Sequence, residues 1–254
     1  MMTKKGGHKI VKSLEYYDVI KEQLERQFEE EKENILKAAE YCSNSVKNER
    51  VIHLFGCGHS QMFVMEAFYR AGGLVQVNPL LIPHFALFPK AKLSTIQERI
   101  EGFTPEYLDL EDTSEKDTMI IVSISGRNAG GIDMALAAKE KGMKVIALTS
   151  LEFSNSVESR HSSGKLLKDV ADVVIDIKCV EGDACLSMEG LETKFCGTST
   201  VLGMAVIESI IGQTIENCVN DGYIPPIYVS SNLDKGDKIN KEYIKKYRNL
   251  ISSL

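Results

Sequence analysis

No apolar run in the 254 residues approaches membrane-spanning length, which removes a helix-anchored membrane protein from consideration. The N-terminal Met1–Gly7 is basic, but no apolar stretch follows it, so it does not read as a signal peptide. Basic charge is not in excess. There are 30 Lys and Arg against 36 Asp and Glu, a net charge of −6, and no basic stripe. Neither nucleic acid nor a membrane is expected as a partner. Cysteine pairs are missing as well. Cys42, Cys57, Cys179, Cys185, Cys196 and Cys218 are scattered without CxxC spacing, several in apolar surroundings. They read as free thiols in a reducing, cytoplasmic setting and not as a disulfide framework. What remains is a chain 43% hydrophobic, long enough for one large α/β domain with appendages or for two small domains.

The stretch Val51–Arg70 organises the rest. Val51, Ile52, Leu54 and Phe55 form a short apolar run of β-formers, broken by Gly56-Cys57-Gly58-His59-Ser60. Met62–Tyr69 then continues with helix-compatible residues. A strand that feeds a helix through a glycine-rich turn aims backbone N–H groups and the helix dipole at one point, which suits a phosphate. Ser60 adds a hydroxyl there. Such a turn also serves as a plain close contact between helix and strand. The dinucleotide fingerprint is incomplete. Gln61 stands where its third glycine belongs, and the expected second strand, Leu74–Val77, ends in Asn78-Pro79 instead of an acid.

Residues 8 to about 48 carry apolar positions at helical spacing, with no Gly or Pro, and predict one long helix. After Arg70-Ala71-Gly72-Gly73 stops the next helix, Asn78–Lys116 is irregular and holds four prolines. Strand three, Thr118–Ser123, runs into a second small-residue turn, Ser123–Gly131, and a helix to Lys141. Strands Lys144–Leu148 and Asp172–Ile177 flank a serine-rich connection, Thr149–Lys165. A loop around Gly182-Asp183-Ala184 precedes a helix from about Thr198 to Val219. A Pro225-Pro226 extension and a short helix, Ile239–Leu254, end the chain. Alternating strands and helices imply a doubly wound α/β fold with a five-stranded parallel sheet, order 2-1-3-4-5. Both turns then follow strands at the switch point and meet in one crevice. Three segments are expected: helices over 1–48, a core over 49–225 and an extension over 226–254.

With both loops placed, the chain resembles a SIS (sugar isomerase) domain protein, whose fold is flavodoxin-like. Gly56–Ser60 carries the likeness, together with Ser123-Ile124-Ser125-Gly126-Arg127-Asn128, which is similar to the family's Ser-x-Ser-Gly-x-Ser/Thr phosphate loop. Gly197-Thr198-Ser199-Thr200 fits as well. Residues 68–73 and 159–165 are similar to a branch near the phosphoheptose isomerases. The resemblance implies a phosphorylated sugar as ligand, held by Ser60, Ser123, Ser125 and Asn128 with Gly58, His59, Gly126 and Arg127 of the same turns. It also implies a homodimer or homotetramer.

An aldose–ketose isomerisation through an enediolate needs a base and a proton shuttle. Glu66, in the helix after the first turn, is the expected base. The catalytic glutamate of phosphoheptose isomerases corresponds to a position near Arg70, so it is not carried over. His161 is the expected acid/base partner, and Lys165 a further phosphate or hydroxyl contact. His84, Glu98 and Glu208 rank behind them, and His53 reads as a core residue. His53, Cys57 and His59 match no zinc spacing, so neither metal nor cofactor is expected. A lyase or etherase acting on an amino-sugar phosphate, and a non-catalytic sugar-phosphate sensor, stay open as alternatives.

Overall fold

The computed structural model describes residues 11–254. The basic Met1–Gly7 and the first residues of the expected long helix lie outside them. Five parallel strands form one sheet: β1 (Ile52–Gly56), β2 (Val77–Leu80), β3 (Thr118–Val122), β4 (Lys144–Thr149) and β5 (Val173–Asp176), in the order β2-β1-β3-β4-β5. This is the doubly wound arrangement that the strand–helix alternation requires. The register runs Ile52↔Val77 and Ile52↔Thr118 on either side of β1.

Nearly every strand residue is buried, because helices cover both faces. Ile52, Leu54, Ile120, Val122, Ile146 and Leu148 point to the face covered by α2 (Lys32–Lys47), α3 (Gln61–Ala67) and α8 (Ser199–Asn220). Phe55, Met119, Ile121, Val145 and Ala147 alternate with them and point to α5 (Phe103–Leu108) and α6 (Ala129–Glu140). Each such side chain, fully buried, contributes about 1.5–3 kcal/mol. A third cluster, Val51, Val75, Tyr228, Tyr247 and Ile251, seats α9 (Gly236–Tyr247) against the sheet's lower end.

Three elements depart from the sequence reading. The long N-terminal helix is two, α1 (Lys12–Glu30) and α2, broken at Glu31. No Gly or Pro marks the break. Lys178 draws Glu31 inward at 2.8 Å, with Glu30 at 2.9 Å and Asp176 at 3.0 Å. Strand two starts three residues later than expected and contains Asn78-Pro79. The backbone of Leu74 and Val75 pairs instead with the extension, where Val75 N–H donates to Pro226 O at 3.0 Å and Leu74 bridges Ile227. Pro79 is tolerated because β2 is an edge strand. The loop near Gly182 is the start of an antiparallel ribbon, β6 (Ala184–Leu186) with β7 (Phe195–Gly197). The irregular 78–116 span holds two short helices, α4 (Ala91–Gln97) and α5, and α7 (Leu151–Asn155) follows β4. Among the described residues no helix is long and apolar enough to cross a membrane.

Candidate functional site

β1 and β3 are sheet neighbours, but the chain leaves them toward opposite faces, which opens a crevice beyond their carboxyl ends. After β1, Cys57 stays extended and Gly58 turns left-handed at φ 59°, a conformation natural to glycine. A 3-10 turn, Gly58–Ser60, leads into α3. The turn lies hard against the strand end. A Cβ on Gly56 would stand 2.6 Å from Ser60 O and 2.8 Å from Ser60 Cβ. After β3 the second loop curls back, with Gly126 left-handed at φ 62° over Thr149 and Leu167. Asn128, extended, opens α6.

A cavity of about 280 Å³ lies between the two loops. Gly58, His59 and Ser60 line it from the first turn, and Ser123, Ser125 and Asn128 from the second. The expected phosphate residues are therefore brought together, apart from two of their neighbours. Gly126 and Arg127 do not line the cavity. Gly126 is packed beneath the loop, where its carbonyl accepts from Leu167 N–H at 2.8 Å. Phe55, Leu87 and Phe153 form apolar wall.

The opposite wall is α4 and its C-cap, which contribute Ser94, Thr95 and, at the cap, Glu98. Ser94 is committed elsewhere, donating to Phe85 O at 2.7 Å. Glu98 is the carboxylate of the cavity. Burial pushes its pKa up, while the Arg99 charge, a hydrogen bond from Asn128 and the Arg160 charge offset part of the rise. Its main chain is pinned by α6, whose Gly130 N–H donates to Glu98 O at 2.9 Å. Cys57 also faces the cavity. Burial and the neighbouring Glu98 hold its thiol well above the ordinary value, so it presents a neutral S–H.

The two residues expected to do the chemistry are not in this cavity. Glu66 is turned onto Arg70, which also reaches Glu208 at 3.2 Å. Six residues beyond Ser60, it has rotated to another face of the helix. His161 is a strut. Its Nε2 donates to Asp133 Oδ1 at 2.9 Å, and its Nδ1 accepts from Ser163 N–H at 3.1 Å. Lys165 is exposed, and its carbonyl accepts from Ser159 Oγ at 2.6 Å. His84 packs edge-on against Phe103. His53 is fully buried, with Nε2 3.3 Å from Asp117 Oδ2 and Nδ1 3.0 Å from Asn78 Nδ2, and takes no part in the cavity. Among the described residues no group of three or more His, Cys, Asp or Glu side chains is placed to hold a metal ion.

In the sequence Glu98 reads first as a helix cap or as a surface partner of Arg99, and it therefore ranks behind Glu66 and His161. The polar spacing Ser94–Thr95–Glu98 on one short helix and its cap is the signal. The same helix leaves Leu93 and Ile96 exposed, at 41% and 50%. An amphipathic helix that turns polar groups to a cavity and apolar groups outward inverts the ordinary pattern.

The sheet order and the paired loops define a class, a doubly wound domain with a ligand crevice at its switch point. Residues 15–150 match the model of the SIS domain, and the chain belongs to that family. It is 43% identical to the UPF0309 protein of Geobacillus thermodenitrificans over 240 residues, covering 94% of this chain and 96% of the relative. A UPF0309 protein of Listeria innocua is 41% identical over 239 residues, covering 94% and 97%. Among solved structures, the phosphoheptose isomerase of Neisseria gonorrhoeae aligns with TM-score 0.50 and 17% identity, over 82% of this chain and 97% of that one. A phosphoheptose isomerase of Francisella tularensis aligns with TM-score 0.51 and 15% identity, over 81% and 97%. These two likenesses are of fold.

Proposed function

We propose that this protein is a phosphosugar enzyme, an aldose–ketose isomerase that works in the cavity between the two loops. The observation that carries the reading is the pairing of a serine-lined cradle with one partly buried carboxylate, Glu98, across about 280 Å³. Ser60, Ser123 and Ser125 offer hydroxyls to a phosphate, and Gly58 and His59 the backbone of the first turn. Glu98 is the base. A carboxylate lifted by burial is a stronger base than one in water, and it takes the C2 proton of an aldose to leave an enediolate. The same carboxylic acid then returns the proton at C1 while the hydroxyl proton passes from O2 to O1 between the two adjacent oxygens, so the isomerisation consumes no net acid or base. His161 holds the 159–165 loop to α6 and supports the cavity from outside. Residues 49–225 are the phosphosugar-binding unit in this reading, with 1–48 as helical cover and 226–254 as extension. A homodimer or homotetramer would cover the exposed Met62 and Met65 of α3 and Leu93 and Ile96 of α4.

The test begins with thermal shifts against hexose, pentose, heptose and N-acetylhexosamine phosphates, each beside its free sugar. A ligand that binds the folded state raises the melting temperature by mass action. The phosphosugar that shifts it is then incubated in D2O. Deuterium at C1 of the ketose formed, and at C2 of the recovered aldose, is expected, and Glu98→Gln should lower kcat by about 10²–10⁴ with a smaller change in KM. No shift with any phosphosugar, or unchanged kcat in Glu98→Gln, sinks the reading.

A further inference from the structure

The rim of the cavity carries a concentration of positive charge that the serine cradle does not use. Three arginines from three separate loops stand near enough there for the charges of Arg127 and Arg99 to act on Arg160. Arg160 N–H donates to Arg127 O at 2.9 Å, and Arg160 Nη1 donates to Asn128 Oδ1 at 3.0 Å. Asn128 itself lines the cavity, and so does Glu98, the residue before Arg99. None of the three arginines lines the cavity, so none is in position to hold an anion seated among the serines. They stand outside its lining.

In a chain of net charge −6, none of the three forms an ion pair among the described residues. Arg127 Nε is buried and has no hydrogen-bond partner. Glu98 is the carboxyl whose charge acts on Arg99 and Arg160, and burial raises its pKa while these two charges offset part of the rise. Burial and then the charges of Arg127 and Arg99 lower the pKa of Arg160, which is how crowded like charges behave. The crowding is held in place. His161 ties the 159–165 loop to Asp133 of α6, and Ser162 N–H and Oγ donate to Glu101 at 2.7 and 2.6 Å. With the 159–165 loop fixed in this way and Arg160 Nη1 on Asn128 of the cavity wall, guanidiniums without an ion pair stand next to the cavity, which is half of an ion pair.

We infer that Arg99, Arg127 and Arg160 form a second anion subsite, and that the ligand is a phosphosugar bearing a second anionic group, a phosphate or a carboxylate. This rests on the proposed phosphosugar cavity and adds to it the class of substrate. With one phosphate among the serines, the far end of a hexose-sized ligand reaches the rim, where the planar guanidinium forks suit either oxyanion.

Isothermal titration compares a hexose 6-phosphate, a hexose 1,6-bisphosphate and a 6-phosphorylated hexonic acid against the wild type, Arg160→Gln and the double variant Arg99→Gln/Arg160→Gln. The bisphosphate or the acid should bind the wild type about tenfold or more tightly than the monophosphate, the size of one charge-assisted contact. Whichever of the two shows the preference identifies the second group. The double variant should lose the preference and keep monophosphate affinity within about twofold, whereas Arg160→Lys, which keeps the charge, should retain part of it. Equal affinity for all three ligands in the wild type overturns the subsite and leaves the phosphosugar cavity standing. So does a preference that survives the double variant. No binding of the monophosphate or of either doubly anionic ligand overturns both.

Discussion

Replacing Gly56 by alanine tests whether the first turn is a working cradle or only a chain reversal. Gly56 ends β1, and the added methyl would meet Ser60 O at 2.6 Å, Ser60 C at 2.7 Å and Ser60 Cβ at 2.8 Å. Carbon contacts need about 3.5–4.0 Å. Two of the three opposing atoms are main chain, so no rotamer change relieves them, and the turn must recede by the better part of an ångström. Overpacking of this kind costs about 1–3 kcal/mol. For a chain of this size that is a fall in melting temperature of about 2–12 °C. The binding loss should be larger in effect. Ser60 and the main chain of Gly58 and His59 move together, and losing one charge-assisted contact to a phosphate removes about 1.5–3 kcal/mol, or about 10- to 150-fold in Kd. The assay is a thermal melt of the free protein, followed by titration with the phosphosugar found in the screen. Unchanged melting together with Kd within twofold of wild type would refute the argument that this turn is packed against the strand in order to hold the ligand.

Gly212 gives the opposite expectation. It lies exposed inside α8 with nothing within 4 Å of a built Cβ, so Gly212→Ala should stabilise by about 0.5–1 kcal/mol and raise the melting temperature by about 1–4 °C. At the sheet's other end, Asp117 is buried and accepts from Arg50 Nη2 at 2.9 Å, Val51 N–H at 3.1 Å and Ser114 N–H at 2.7 Å. Asp117→Asn leaves Arg50 short of its partner and should cost about 3–5 kcal/mol, read in urea unfolding. Burial alone would raise the Asp117 carboxyl, but hydrogen bonds from His53 and Arg50 win and lower it. A lowered carboxyl stabilises above its unfolded value and loses that contribution as pH falls through the folded one. The gap between wild type and Asp117→Asn should therefore narrow below about pH 4. Glu98 has the reverse sign, since burial raises its carboxyl. Its contribution is present at acid pH and lost as pH rises through the folded value. Glu98→Gln should melt above wild type at pH 8 and level with it near pH 4. A melting difference that grows on acidification contradicts the burial of this carboxylate.

The fold was legible because its signals are local. Apolar runs at Ile52–Phe55, Thr118–Val122 and Lys144–Thr149 are mostly hydrophobic and, apart from the exposed Lys144, buried, and the turns between them are marked by glycine and serine. Chain order and the handedness of crossovers then leave few ways to arrange five such strands. The two loops that line the cavity were legible for the same reason, since a glycine that must turn left-handed at Gly58 or Gly126 is visible one residue at a time. Tertiary structure decided what depends on distant partners. The helix break at Glu31 comes from Lys178, nearly 150 positions away, and the late start of β2 from the extension at Pro226–Tyr228. Glu66 and His161 have the right chemistry and the right neighbourhood in sequence, but Arg70 and Asp133 hold them outside the cavity. Glu98 and Arg160 reach its wall and rim only because α4 and the 159–165 loop pack against the start of α6. Local preference sets which segments are strands and turns. Which side chains share a cavity is set by helix faces and long-range contacts, and these exist only once the chain has closed on itself.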